Sequence, residues 1–133
     1  VQKGGLSPVV DVLDYGDTVQ KNGLNLLNGP GNDIVAITNL TAAGVHIILF
    51  TTGRGTPFGT FVPTMKISTN PTLAAQKPNW VDFSAGQLIE GKTMDEVLPQ
   101  FIDKILSVAS GEKSRNEIND YREISIFKNG VTL

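Results

Sequence analysis

His46-Ile-Ile-Leu-Phe-Thr-Thr-Gly-Arg-Gly-Thr-Pro-Phe-Gly-Thr-Phe-Val-Pro63 is the stretch from which the rest of the chain is read. Ile47, Ile48, Leu49 and Phe50 form an unbroken apolar run, the pattern of a strand buried on both faces. The run gives way at once to Thr51, Thr52, Gly53, Arg54, Gly55 and Thr56. Open α/β sheets bind ligands beyond the carboxyl ends of their strands, so glycines and hydroxyls directly after a strand point to a site. Gly53 and Gly55 flank Arg54 and let the backbone take positive φ or approach a ligand closely. The guanidinium offers a planar fork of donors that suits a carboxylate or phosphate. Thr51, Thr52 and Thr56 add hydroxyls. The stretch reads as an anion-binding loop; the alternative is a surface turn whose arginine faces water.

Working outward, Ser7-Pro8 has the form of a helix start, and Val9, Val12 and Leu13 predict a short helix to Tyr15, ending at Gly16. Leu24, Leu26 and Leu27 predict a strand, closed by the glycine-rich turn Asn28–Asp33. Ile34, Val35, Ile37 and Leu40 then space as a helix, with Asn32 or Asp33 as N-cap. A strand, a glycine turn and a helix N-terminus offer unpaired N–H groups to an anion, which makes Asn32 a second candidate contact. Leading into the His46 strand, this helix predicts a strand–helix–strand unit with parallel strands. His46 opens that strand and reads as structural.

Beyond the loop, Thr64–Thr69 alternates like a half-buried strand, with Met65 and Ile67 on one side and Lys66 on the other. Lys66 is either a solvated cation or a charge directed toward the preceding loop. Asn70-Pro71 predicts a short helix to Gln76, and Trp80–Phe83 another strand, running into Ser84-Ala85-Gly86. Asp82 and Ser84 are placed to line the same mouth as Arg54, or Asp82 caps the turn. Thr93 and Glu96 form a capping-box pattern ahead of the longest helix, Met94–Ala109, in which Pro99 predicts a kink or break. Residues 112–123 read as a solvated connection or interface strip, and Ile124–Phe127 as a final strand before a turn at Lys128–Gly130. Strands alternating with helices predict a three-layer α/β domain, Rossmann-like or flavodoxin-like, with a small, mostly parallel sheet. Its glycine-rich turns after Leu27, Thr52 and Ser84 are expected along one sheet edge.

The chain has 133 residues, the size of one compact domain, with 40% hydrophobic and 18% charged residues. A net charge of −2 leaves no basic stripe for nucleic acid. No apolar run reaches the roughly 18 residues that span a bilayer, and the first residues lack the pattern of a secretory leader. With no cysteine and one histidine, a self-contained metal site is not expected. The same lack of cysteine is compatible with a cytoplasmic location. Val1, in place of an initiator methionine, suggests a fragment.

Leu26–Asp33, Leu49–Gly59, Phe61–Asn70, Trp80–Gly86 and the ending Asn119–Leu133 together resemble the C-terminal domain of the altronate/galactarate dehydratase family. The resemblance covers essentially the whole chain, with Thr-Thr-Gly-Arg-Gly-Thr-Pro (51–57) its most specific core and 119–133 favouring the altronate branch. It implies a C-terminal fragment of a longer cytoplasmic enzyme that dehydrates D-altronate to 2-keto-3-deoxy-D-gluconate with a divalent metal, Fe²⁺ or Mn²⁺. The partners it implies are the sugar-acid substrate and the upstream domains of the same polypeptide, with a homo-oligomer left open. Such chemistry needs a base, a carboxylate clamp and usually a Lewis acid. This chain offers the clamp, with Arg54 for the carboxylate, Thr51, Thr52 and Thr56 for hydroxyls, and Gly53, Gly55, Asn32 and Lys66 beside them. Base and metal ligands are expected outside it, and the fragment alone is expected to be inactive.

Three other readings stand beside this one. Galactarate dehydration or sulfolactate lysis belongs to the same family. A non-catalytic assembly role would use the charged tail with Tyr121 and Phe127. A flavin-binding module is suggested because residues 51–56 resemble a flavodoxin phosphate loop, but Pro57, Gly59 and Pro63 oppose the helix such a loop needs. A P-loop is excluded: Gly91-Lys92-Thr93 follows Gly86, but no buried strand leads into it and Thr93 reads as a helix cap.

Overall fold

The computed structural model describes residues 5–126. The described residues form two compact units, one of residues 5–45 with 124–126, the other His46–Glu123. Both are mixed α/β with small parallel sheets, as the alternation of elements implies.

In the first unit β1 (Val9–Leu13) pairs parallel with β2 (Leu24–Leu27), and helix α1 (Asp33–Ala42) follows. The helix expected after Ser7-Pro8 is instead β1. Three valines in five residues favour extended backbone, and pairing with β2 supplies partners that helical spacing alone does not reveal. Asn32 caps α1 by accepting from the Val35 N–H at 3.2 Å. The buried Asn39 side chain accepts from the Gly16 N–H at 2.9 Å and donates to the Asn28 carbonyl at 3.0 Å, so α1 fastens the turns that follow both strands. Residues 124–126 are not a strand, so the strand expected at Ile124 does not form; Phe127 and the turn at Lys128–Gly130 lie outside the described residues.

The second unit holds a parallel sheet of β3 (Ile48–Thr52), β4 (Thr64–Ser68) and β5 (Phe83–Ser84), with β4 central. β2 and β3 therefore belong to different sheets, and the expected strand–helix–strand unit across α1 does not form. Partners for β3 arrive later in the chain, through Thr64–Ser68. Burial on the two strands is also the reverse of the sequence expectation. β3 lies at the sheet edge, where Leu49 is 45% exposed, whereas every residue of β4 is buried, including Lys66 at 2%. A central strand of a covered parallel sheet has no solvent face, whatever its sequence alternation.

Helix α2 (Pro71–Gln76) begins as expected, with the Asn70 side chain accepting from the N–H groups of Thr72 and Leu73. The expected strand over Trp80–Phe83 shrinks to Phe83–Ser84, which leads into a 3₁₀ turn at Ala85–Leu88. Helix α3 (Met94–Ala109) starts at the Thr93/Glu96 capping box and runs through Pro99 without a break. A one-turn helix, α4 (Arg115–Ile118), occupies the segment expected to be a solvated connection, and its Asn116 is buried. Among the described residues no helix is long and apolar enough to cross a membrane.

Candidate functional site at the carboxyl edge of the second sheet

Strand register places Thr52, Ser68 and Ser84 in one row across β3, β4 and β5. All three strands run the same way, so this hydroxyl row is the carboxyl edge of the sheet, where α/β folds carry their ligands. The turns after Thr52 and Ser84 both leave from it, as expected; the turn after Leu27 belongs to the other unit's sheet. Close approach shapes the edge. A Cβ on Gly86 would lie 2.7 Å from the Pro71 ring, so the 3₁₀ turn reaches the start of α2 only because residue 86 is glycine.

The Arg54 loop is built on this edge. Thr52 Oγ1 accepts from the Gly55 N–H at 2.9 Å, and Gly55 takes φ +81°, a conformation L side chains rarely adopt. The Thr52 carbonyl accepts from the Thr69 N–H at 3.1 Å, and the Asn70 amide donates to the Gly53 carbonyl at 3.4 Å. The loop is thus tied to the β4–α2 junction. Thr51, Gly53 and Arg54 are exposed, while Thr52, Gly55 and Thr56 are half-buried. Among the described residues Arg54 has no hydrogen-bond or ion-pair partner, so its donors face solvent. No helix follows the loop: residues 53–63 run irregularly into β4.

Lys66 departs furthest from its sequence pattern. Its backbone pairs with β3 opposite Phe50, and its ammonium donates to the Phe58 carbonyl in the connection between β3 and β4. The charge lies 4.6 Å from the centroid of the Phe58 ring and 5.9 Å from that of Phe50. Burial pulls its pKa down from 10.5 to about 8, against the attraction of Asp82 and Glu123. It is the charge directed at the preceding loop, not the solvated cation.

Asp82 is structural in its contacts. Its carboxylate accepts from the Lys66 N–H at 2.7 Å and the Arg115 N–H at 2.8 Å, joining β4 to α4. Burial raises its pKa despite those bonds. Asn116, which the sequence reading missed, accepts from the Thr64 N–H at 3.1 Å and from the Ser114 hydroxyl at 2.6 Å. The one usable sequence signal was Ser114 with Glu117 three residues on, a second capping box. Of the eight candidate contacts, Thr51–Thr56 and Lys66 belong to the second unit, and Asn32 to the first, where its side chain is a helix cap. Among the described residues no three His, Cys, Asp or Glu side chains gather as a metal-binding group.

The family model described as D-galactarate/altronate dehydratase, C-terminal, matches residues 1–132. The chain belongs to that family. Within it, the chain is 59% identical over 132 residues to the altronate dehydratase of Escherichia coli (strain K12), covering 99% of this chain and 27% of that protein. It is 56% identical over 133 residues to the altronate dehydratase of Bacillus subtilis (strain 168), again covering 99% of this chain and 27% of the relative. To the L-threo-forming galactarate dehydratase of Escherichia coli the identity is 39% over 115 residues, 85% of this chain and 22% of the relative. The chain thus spans about a quarter of the length of these dehydratases.

Proposed function

We propose that this chain is the substrate-carboxylate domain of a sugar-acid hydro-lyase that converts D-altronate to 2-keto-3-deoxy-D-gluconate and water. Higher identity to the two proteins named altronate dehydratase than to the galactarate enzyme supports the substrate. The observation that carries the site is Arg54, exposed on a glycine-flanked loop at the carboxyl edge of a parallel sheet and free of any partner among the described residues. In the proposed reaction a proton leaves the carbon beside the carboxylate, hydroxide departs from the next carbon, and the resulting enol becomes the ketone. Negative charge builds on the carboxylate as the proton leaves, and a guanidinium on both oxygens stabilises that state most. Thr51 and Thr56 hydroxyls lie on the same loop to meet sugar hydroxyls, whereas Thr52 Oγ1 is committed to Gly55.

The described residues do not fit a divalent metal, since no three His, Cys, Asp or Glu side chains gather among them. The metal (Fe²⁺ or Mn²⁺), its ligands and the base are assigned to the remainder of the polypeptide, in the cytoplasm. The full-length enzyme, assayed for 2-keto acid from D-altronate and from D-galactarate, is expected to favour D-altronate, while residues 1–133 alone yield no product. Equal turnover of both acids, or full activity of the isolated chain, would contradict the assignment.

An assembly role has one observation of its own. Met94, Leu98, Ile102 and Leu106, at four-residue spacing along α3, are all exposed, and Met94 and Leu98 border an apolar cleft of about 260 Å³ lined also by Phe83 and Phe101. We assign this face to the remaining three-quarters of the same polypeptide. In the full-length enzyme, Leu98→Asp with Ile102→Asp is expected to leave residues 46–123 open to limited proteolysis; unchanged resistance overturns this role and leaves the Arg54 reading intact.

A further inference from the structure

Phe58 and Gly59 share one peptide bond, and its two polar ends meet opposite charges. The carbonyl of Phe58 accepts from the Lys66 ammonium, and the N–H of Gly59 donates to the Glu123 carboxylate at 3.0 Å. Glu123 closes the bracket with its own N–H, which donates to the Gly59 carbonyl at 3.0 Å. On the remaining side Asn116 leaves no room. A Cβ at residue 59 would come within 2.3 Å of its amide nitrogen, so the peptide lies flat against α4 only as glycine. Asn116 is itself fixed to the Thr64 N–H at the start of β4.

We propose that Lys66 and Glu123 are positioning residues that clamp the Phe58–Gly59 peptide from its two ends and so fix the far side of the loop that presents Arg54. The near side is held by Thr52 and Asn70; the clamp supplies the second anchor that a connection from 53 to 63 needs to keep one shape. A peptide polarised by a cation at its oxygen and an anion at its hydrogen forms two charge-assisted bonds, each stronger than a neutral one. Phe50 and Phe58 keep water from the ammonium, and the charged groups acting on it are Asp82, beside β5, and Glu123, after α4. Lys66 does not touch substrate here: it is 2% exposed and spends its charge on the loop. The clamp's consequence for turnover rests on the Arg54 reading above; the clamp itself does not.

The test uses full-length enzyme with Lys66→Met and Glu123→Gln. Met refills the buried volume without the charge but leaves the Phe58 carbonyl seeking water, so the loop must shift. Amide exchange at Gly55 and Gly59 is expected to speed up about tenfold or more in Lys66→Met and less in Glu123→Gln, which keeps an acceptor. KM for D-altronate rises about tenfold in Lys66→Met with kcat nearly unchanged. Unchanged exchange at Gly59 in a folded Lys66→Met enzyme overturns the clamp. Faster exchange with an unchanged KM upholds the clamp and counts against the Arg54 reading.

Discussion

Arg54 and Lys66 stand at the two ends of one connection and live in opposite surroundings. Arg54 is exposed and unpartnered among the described residues; Lys66 is enclosed by aromatic rings and bonded to a backbone carbonyl. Both are cations in polar stretches of sequence, and what separates them is sheet order. Arg54 follows an edge strand, and Lys66 lies on the central strand, which no solvent reaches. Guanidinium suits the open position because it recognises a carboxylate through a flat fork. An ammonium suits the closed one because a buried lysine can lower its pKa, where arginine holds its charge.

The largest effect that separates the two is a pH dependence. Lys66 titrates at about 8 when folded and 10.5 otherwise. Between those values the unfolded chain holds a proton that the native chain has released, so stability rises with pH, by about 3 kcal/mol in all. Chemical denaturation from pH 7 to 10.5 is expected to show that rise in wild type relative to Lys66→Met, and Arg54→Ala is expected to retain it. Next comes Arg54→Ala itself: KM for D-altronate rises about 100-fold, the loss of two charge-assisted bonds, while the melting temperature stays put. Gly59→Ala acts on the clamped side, forcing Asn116 aside at a cost of about 2 kcal/mol in a denaturant melt. Asn70→Ala, which removes the α2 cap and the tie to Gly53, costs about 1 kcal/mol and raises KM only slightly.

Much of this contrast was legible in the sequence. Caps at Asn32, Asn70 and Thr93 marked three helix starts correctly because capping is a local interaction between a side chain and the next turn. Glycines around Arg54 announced the loop for the same reason. What failed depended on partners distant in the chain. The valines of β1 took helical spacing until β2 claimed them, and β3 and β4 exchanged their expected burial because strand order places Thr64–Ser68 in the centre. Lys66 sits between Met65 and Ile67 in the most buried strand, so the alternation of that strand pointed to a solvent face that does not exist. The clamp was hidden for the same reason: Glu123 reaches back 64 residues to Gly59, and no spacing rule spans that distance.

The central claim is that Arg54 grips the acid group of the substrate, and a comparison of charged and neutral ligands tests it most directly. Full-length wild-type enzyme and Arg54→Ala would each be titrated calorimetrically with D-altronate and with its neutral amide. Wild type is expected to bind the acid about 100-fold more tightly than the amide, and Arg54→Ala to bind the two about equally. A variant that keeps the full preference for the acid would show that some other group holds the carboxylate.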